Sequence, residues 1–342
     1  MEPTGTESRK ADHVRIVLEE DVSFLQTETG FDGYRLVHCA LPEVDLEAVE
    51  TETHFFGHRL AFPLLIASMT GGTPETGRIN QILAEAAQAT GIGMGLGSAR
   101  VLLEQPEVAP SFQVRNVAPD ILLFANLGAV QLNYGYDVQA CRRLMDLTEA
   151  DALYLHLNPL QEALQREGDT RFSGLLKQIE AVCHSLDAPV VVKEVGWGLS
   201  TTVARQLIDA GVAALDVAGA GGTSWSQVEF YRLGSPAEQE IAASFREWGI
   251  PTAMSLRMVR NADAEIPLIS SGGVHSGIDI AKSLALGADI ATMAGPLLHA
   301  AATSSEALYQ RLDILHRQFR IAMFATGSPD VAVLQTAEII RL

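Results

Sequence analysis

Lys193 stands at the end of an apolar run, PVVVK, where its charge needs a partner. A lysine in such surroundings is costly to bury unless an anion accompanies it. Glu194 is excluded as that anion if the run is a regular strand, because neighbouring strand residues point to opposite faces. Asp216 remains a possible partner. The other candidate is a bound anion.

A second group of polar residues lies in HLNPLQE, residues 156 to 162. The apolar run ALYLHLN breaks at Asn158-Pro159, and proline is typical of the end of a strand rather than its interior. Gln161 and Glu162 follow side by side. In most proteins such a pair belongs to a solvated loop with a helix cap. Here the pair comes directly after a predicted strand, where it can face a ligand.

Apolar runs of this kind recur along the chain and alternate with segments of helical spacing, the pattern of βα units. We predict eight strands, at 63 to 68, 92 to 96, 121 to 126, 152 to 157, 189 to 195, 213 to 218, 267 to 271 and 289 to 294. Helices are predicted at 76 to 89, 200 to 210 and 276 to 286, the last with a capping box of Ser276 and Asp279. Residues 248 to 256 are interpreted as a loop and the start of a helix. Eight strands close a (β/α)8 TIM barrel of the α/β class, with its active site at the C-terminal strand ends.

Glycines cluster where such a barrel binds phosphate, in the loops after strands seven and eight. Gly272-Gly273 and Ala294-Gly295 supply bare backbone there, and GAGGTSW follows strand six. Backbone N–H groups beside a helix N-terminus attract an anion, so the three loops together favour a phosphorylated cofactor over plain tight turns. In GIGMGLGS, glycines alternate with apolar residues, which indicates either close packing inside the barrel or room for a flat ring.

The composition narrows the class of protein. The chain has 342 residues and a net charge of -18, which argues against nucleic acid or anionic membrane as partner. No run approaches the roughly 20 apolar residues of a membrane span, and the N-terminus has no signal-peptide pattern, so we expect a cytoplasmic protein. Residues 1 to 60 are predicted to be an N-terminal extension that packs on the barrel of residues 61 to 342. Its tip is expected to be mobile until something binds it.

Taken together, the motifs resemble a known family over nearly the whole chain. The chain is similar to type 2 isopentenyl diphosphate isomerase, the FMN-dependent isomerase, in RKADH (9 to 13), SMTGG (68 to 72), GSAR (97 to 100), NLGA (126 to 129), HLNPLQE (156 to 162), VKEVGWG (192 to 198), DVAGAGGTSW (216 to 225) and SGGVHSGIDIAKSLALGAD (271 to 289).

The resemblance implies a role for each matching residue. It makes Gln161 a residue that contacts the substrate beside the reacting alkene and Glu162 a ligand of Mg2+. Our hypothesis for catalysis is that the reduced flavin is the acid and base, that Lys193 stabilises it, and that Gln161 with His156 orients the substrate. The resemblance assigns diphosphate binding to Arg9, Lys10, His13, Ser98 and Arg100. The positions that line FMN match Ser68, Met69, Thr70, Ser98, Asn126, Lys193, Thr223, Gly273, Ala294 and Gly295. The chain departs from the family at His275, where Arg is usual, and at Ala218, where Ser is common.

The implied reaction is a 1,3-proton shift that converts isopentenyl diphosphate to dimethylallyl diphosphate with reduced FMN and Mg2+. The resemblance also implies NADPH as the reductant and a homo-oligomer, either a tetramer or an octamer. One alternative is an FMN-dependent 2-hydroxy-acid oxidase, but the AGAGGTSW segment lacks the histidine base that this chemistry needs. Another is a barrel that binds FMN without catalysis. Such a barrel would need neither Gln161 and Glu162 nor Arg9-Lys10.

Overall fold

The computed structural model describes residues 5 to 342, with side chains from Ala11 onward. Twelve strands are present in this part of the chain: β1 (Tyr34–Leu36), β2 (Thr53–Phe55), β3 (His58–Leu60), β4 (Leu64–Ile66), β5 (Gly93–Gly95), β6 (Leu123–Gly128), β7 (Ala152–His156), β8 (Val190–Lys193), β9 (Ala214–Asp216), β10 (Leu268–Ser270), β11 (Ile290–Met293) and β12 (Ile339–Arg341). The strands from β4 to β11 pair in parallel and close a barrel in chain order. These are the eight predicted strands, and the prediction of a (β/α)8 barrel is confirmed.

Helices surround the barrel. The described chain contains α1 (Gly5–Glu19), α2 (Pro74–Thr90), α3 (Arg100–Glu104), α4 (Val138–Thr148), α5 (Pro159–Leu164), α6 (Leu175–Ser185), α7 (Thr201–Asp209), α8 (Trp225–Arg232), α9 (Pro236–Ser244), α10 (Thr252–Arg260), α11 (Gly277–Ala285), α12 (Gly295–Thr303), α13 (Ser305–Ala325) and α14 (Val331–Gln335). The capping box predicted at Ser276 and Asp279 is present at the start of α11. None of the described helices is long and apolar enough to cross a membrane.

The barrel interior changes from apolar to polar along the strands. Phe124, Tyr154, Val191, Ala214 and Ile269 belong to one buried cluster. Side chains of a strand return to the same face every second residue. The inward positions two residues further along are therefore the polar Asn126, His156, Lys193, Asp216 and Ser271. The same strands thus build a packed floor and a polar upper layer.

The glycines of β5 serve the packing of that interior. A Cβ on Gly93 would overlap Leu65, and one on Gly95 would overlap Ser68 and approach Tyr154. Of the two interpretations of GIGMGLGS, close packing inside the barrel is therefore the one that the structure supports.

The lower end of the barrel is closed by a β-hairpin of β2 and β3. Phe56 and Gly57 both have positive φ angles, 47° and 80°, which allows the tight turn between β2 and β3. Phe55 and Leu60 then join the buried cluster of the barrel floor. Two short strands before β4 thus close this end of the barrel.

Another part of the N-terminal segment lies at the opposite, upper end. Residues 20 to 30, called the strap below, connect α1 to the barrel. The Glu247 carboxylate accepts the N–H groups of residues 25 to 27 at 2.8, 3.0 and 2.7 Å. The N–H of Ala253 donates to the Thr29 carbonyl at 2.9 Å. The boundary at residue 60 stays a prediction, and the extreme tip lies outside the described residues.

Candidate active site

A cavity of about 570 Å3 opens at the C-terminal ends of the barrel strands, under α1 and the strap. It contains the predicted site residues whose side chains the structure describes: His13, Ser68, Met69, Thr70, Ser98, Arg100, Asn126, His156, Gln161, Glu162, Lys193, Thr223, Gly273, Ala294 and Gly295. The side chains of Arg9 and Lys10 lie outside the described part of the chain. Residues from the loops after all eight strands thus meet in one place.

Asn158 and Pro159 position the Gln161 and Glu162 pair. Asn158 is the N-cap residue of α5 and Pro159 its first residue, so the chain turns from strand to helix within two residues. The Asn158 amide donates to Gln161 Oε1 at 3.1 Å and to Glu162 Oε1 at 2.8 Å. Both side chains are 7% exposed. The break in the apolar run therefore places an ordered amide and carboxylate at the edge of the cavity.

Glu229, a residue of α8 that the sequence did not single out, is the acceptor that fixes Gln161. Its Oε1 accepts from Gln161 Nε2 at 3.0 Å and from Gln165 Nε2 at 2.8 Å, and it lies 3.1 Å from His13 Nε2. Arg232 donates to its Oε2 at 2.6 Å. Burial alone would raise the pKa of this carboxyl, but His13, Arg232 and Gln161 together lower it to about 2.

Asp169 is a second residue that the sequence did not single out. It connects Arg100, a predicted diphosphate-binding residue, to Glu162, the predicted metal ligand. Its carboxylate accepts from Arg100 at 3.0 Å and from Gln131 at 2.8 Å. Its backbone N–H donates to Glu162 Oε2 at 2.7 Å. Arg100 and Glu162 are thereby held on the same side of the cavity. No local pattern in the sequence marks Asp169 or Glu229, because each acts across long stretches of chain.

The inward-facing polar residues at the C-terminal ends of the strands form the base of the cavity. His156 Nδ1 lies 2.7 Å from Asn126 Oδ1, which fixes the orientation of the imidazole ring. Lys193 Nζ donates to the Glu194 carbonyl at 2.7 Å. The Glu194 carboxylate instead accepts the N–H groups of residues 195 to 197. Lys193 and the Glu194 side chain thus point to different faces, as the strand argument predicts.

Several features of the cavity fit a phosphorylated flavin. The hydroxyl oxygens of Ser68 and Thr70 are buried and have no hydrogen-bond partner within the described chain, so a ligand with polar ring atoms would satisfy them. A Cβ on Gly295 would meet nothing within 4 Å, which leaves its backbone open to a phosphate at the N-terminus of α12. Lys193 adds a positive charge at the base.

The other glycines of these loops have a packing reason. A Cβ on Gly272 would overlap the Gly219 backbone, and one on Gly273 would overlap Thr29 of the strap. Thr29 also lies against Gly221. Most of the glycine pattern therefore reflects loops that pack closely on each other, and it indicates a phosphate site less directly than the sequence suggested.

The residues at the two departures from the family pattern both line the cavity. His275, an exposed residue, precedes α11, and partial desolvation lowers the pKa of its imidazole. Ala218 has a φ of 34°, an uncommon conformation for a residue with a side chain. Its N–H donates to the Ser271 hydroxyl at 3.0 Å, which holds this backbone in place.

Few side chains of the cavity could act as ligands of a metal ion. Within the described residues, no three His, Cys, Asp or Glu side chains are grouped as a metal cluster. The Glu162 carboxylate has one hydrogen bond at each oxygen, which leaves lone pairs for a cation. One carboxylate fits Mg2+ only where water and substrate phosphates complete the shell.

Comparison with known proteins identifies the family. The family model described as FMN-dependent dehydrogenase matches residues 6–111 and 140–341. An isopentenyl-diphosphate delta-isomerase of Synechocystis sp. is 52% identical over 330 residues, which cover 96% of this chain and 95% of that protein. The one from Synechococcus sp. is 54% identical over 333 residues, covering 97% and 96%. That of Stutzerimonas stutzeri is 51% identical over 336 residues, covering 98% and 97%.

Solved structures similar to this one carry the same fold. The crystal structure of mandelate oxidase with (S)-2-phenylpropionate aligns with a TM-score of 0.66 at 20% identity, covering 98% of this chain and 97% of that chain. A mandelate oxidase mutant with a monooxide FMN adduct aligns with a TM-score of 0.63 at 20% identity, covering 99% and 93%. At this identity the likeness concerns the barrel and not the reaction. The half-identical relatives carry the assignment: the chain belongs to the type 2, FMN-dependent family of isopentenyl-diphosphate delta-isomerases.

Proposed function

We propose that the protein converts isopentenyl diphosphate to dimethylallyl diphosphate by a 1,3-proton shift, with reduced FMN and Mg2+ bound in the cavity above the barrel. The observation that carries this proposal is the position of Gln161. Its amide is held between Asn158 and Glu229 at the edge of a cavity whose base contains Lys193. A barrel that only binds FMN would need no such ordered amide.

Protonation of an unactivated alkene creates positive charge on carbon, so the site must exclude water and offer an electron-rich neighbour. Reduced FMN would supply the proton donor and acceptor and would stabilise that charge. The protein contributes orientation: Gln161 and His156, each held by a hydrogen bond, restrict where the alkene lies. Because the Gln161 and His156 side chains are both fixed before substrate binds, little reorganisation of the site accompanies the reaction.

The diphosphate end of the substrate would lie toward Arg100 and Ser98. Arg100 has a planar fork that can bind phosphate oxygens in a bidentate manner. Glu162 would bind Mg2+ together with those oxygens. Asp169, which is hydrogen-bonded to both Arg100 and Glu162, would hold the two side chains in position. Arg9, Lys10 and His13 would add positive charge from α1, which an acidic protein needs locally to bind a polyanion.

FMN would lie across the barrel mouth along the ten residues assigned to it, with Lys193 near the ring and Gly295 near the phosphate. NADPH is the reductant we propose, and the assembly we propose is a homo-oligomer of four or eight chains. The oxidase alternative requires a histidine base and an arginine near strands six and seven. The loop after strand six, residues 216 to 225, contains no histidine. The loop after strand seven contains His275, but there is no arginine between residues 271 and 279.

The test is an assay on purified protein loaded with FMN. FMN is photoreduced without oxygen, isopentenyl diphosphate and Mg2+ are added, and dimethylallyl diphosphate is measured. The proposal predicts product only when the flavin is reduced and the metal is present. Glu162→Gln should raise the Mg2+ concentration needed for half-maximal rate, whereas Glu180→Gln, an exposed glutamate of α6, should not. Product with oxidised FMN, or with a chelator present, would contradict the roles given to flavin and metal.

A further inference from the structure

We propose that Asp216 is a positioning residue that acts through Lys193. Its buried carboxylate sets the positive field that Lys193 exerts on the cavity, and thereby the redox potential of FMN bound there. The inference rests on the FMN site of the proposed function and assigns a role to a residue that does not itself reach the cavity.

The first support is the placement of the two residues. Lys193 and Asp216 are paired in register on the adjacent parallel strands β8 and β9. Both occupy inward positions of the barrel, since each follows an inward apolar residue, Val191 or Ala214, by two positions. Lys193 lines the cavity, whereas Asp216 is 1% exposed and lies below it. The carboxylate is therefore out of reach of a ligand but beside the residue that touches it.

The second support is the set of groups around the Asp216 carboxylate. Its Oδ1 accepts hydrogen bonds from the Ser271 hydroxyl and, at 3.3 Å, from the Ala218 N–H. The buried Tyr154 hydroxyl, which has no hydrogen-bond partner within the described chain, is close enough to interact electrostatically with the same carboxylate. Burial raises the pKa of Asp216, and the positive charge of Lys193 with these donors opposes the rise. Donors aimed at a carboxylate favour its ionised form.

The third support is the arrangement around Lys193. Its Nζ donates to a neutral carbonyl, and within the described chain it has no carboxylate within 4 Å. Glu194, its neighbour in sequence, gives its carboxylate to backbone N–H groups instead. Two buried acidic groups, Glu194 and Asp216, therefore interact with the charge of Lys193, and Asp216 is the one that shares the inward face of the barrel with it.

The effect on a bound flavin has a definite sign. Two-electron reduction leaves negative charge on the ring, which Lys193 stabilises and Asp216 opposes. Replacing the carboxylate by a neutral amide removes the opposing charge. In a poorly solvated site, one unit charge at a distance of several ångströms changes an equilibrium by about tenfold. Asp216→Asn should therefore make bound FMN easier to reduce.

A purely structural role predicts something else. Asp216 and Ser271 both hold the N–H of Ala218, whose φ is positive, so Asp216 could serve only to fix the loop after β9. Loss of that function would weaken FMN binding in both oxidation states. It would not depend on whether a charge is present at position 193.

The experiment is a measurement of the FMN midpoint potential against a reference dye in four holoproteins: wild type, Asp216→Asn, Lys193→Met and the double variant. We expect Asp216→Asn to increase the equilibrium constant for reduction about tenfold, which is about 30 mV for a two-electron couple. Lys193→Met should decrease it. In the Lys193→Met background, the buried Asp216 lacks the cation that favours its ionised form, so Asp216→Asn should change the constant by less than about twofold.

An unchanged potential in Asp216→Asn, or the same shift with and without Lys193, would overturn the proposal. Asp216→Ser, which is neutral and smaller, replaces Asp216→Asn if the amide variant does not fold. Failure of the proposed function is distinguishable, because a wild-type protein that binds FMN but makes no dimethylallyl diphosphate still gives the four potentials. A wild-type protein that binds no FMN would overturn both.

Discussion

At the scale of single residues, the site depends on carboxylates that position other groups. Glu229 holds Gln161, Gln165, His13 and Arg232 through its two oxygens. Gln161 was identifiable from the sequence because it follows a strand end within a recognisable motif. Glu229 was not, because a single acid in a helix has the same local pattern as a solvated surface residue. Its significance arises only when α8 folds against α5.

We expect Glu229→Gln to lower kcat by about tenfold to one-hundredfold while FMN affinity stays the same. A glutamine amide has a single acceptor oxygen, so its NH2 group would face either Arg232 or the other donors. A hydrogen bond to a charged group contributes about 1.5–3 kcal/mol. Steady-state kinetics with reduced FMN measure the effect. Glu238→Gln, in the next helix at an exposed ion pair with Arg166, is the control. Wild-type kcat in Glu229→Gln would contradict the positioning role.

The pKa of Glu229 also predicts a pH dependence of stability. Its pKa is about 2 in the fold and 4.5 ordinarily. A carboxylate with a depressed pKa stabilises the fold above its unfolded pKa, and this stabilisation is lost as pH falls toward the folded value. We expect about 1 kcal/mol of it to be lost by pH 3.5. In urea unfolding, the stability difference between wild type and Glu229→Gln should be smaller at pH 3.5 than at pH 7. An equal difference at both pH values would count against the ionised, buried Glu229.

At the scale of elements, the barrel strands were predictable and the N-terminal segment was not. The strands are buried on both faces and read as continuous apolar runs bounded by turn residues. The strap has no apolar period, because it is held by the Glu247 carboxylate and by backbone contacts such as Thr29 with Ala253. The hairpin of β2 and β3 was hidden because its turn, at Phe56 and Gly57, interrupts no obvious pattern.

We expect Glu247→Gln to loosen the strap and raise KM for isopentenyl diphosphate more than it raises the Kd of FMN. The neutral amide offers one acceptor oxygen to three N–H donors, and α1 carries residues assigned to the diphosphate. Trypsin should also cleave faster at the exposed Arg15 of α1. Glu240→Gln, an exposed glutamate of α9, is the control. Unchanged KM and cleavage rate in Glu247→Gln would show that α1 is held by other contacts.

At the scale of the whole molecule, the residues that stabilise the barrel and the residues that line the cavity lie at opposite ends of the barrel axis. The floor, closed by Phe55 and Leu60, is packed and apolar, and the upper layer is polar and lines the cavity. The alternation of strand residues makes this division readable from sequence once the eight strands are assigned. What the sequence could not show is which polar residues bond to each other, because those pairs join distant loops.

We expect Phe55→Ala to lower the free energy of unfolding by about 3–5 kcal/mol, the usual cost of emptying a buried aromatic site. FMN affinity should change little, because Phe55 lies at the end of the barrel opposite the cavity. Urea unfolding and a fluorescence titration with FMN measure the two quantities. Trp248→Ala, at a side chain that is 62% exposed, should change stability by no more than about 0.5 kcal/mol. A similar loss in both variants would contradict the assignment of the floor.

The most direct test of the account is the kcat of Gln161→Ala, measured with reduced FMN and saturating Mg2+ and compared with wild type. Gln88→Ala, at a partly buried glutamine of α2 that is bonded to Asp120, is the matched control and should behave as wild type. The account predicts that Gln161→Ala loses at least about tenfold in kcat, since the fixed amide that orients the alkene is gone. A Gln161→Ala protein with the wild-type kcat would contradict it.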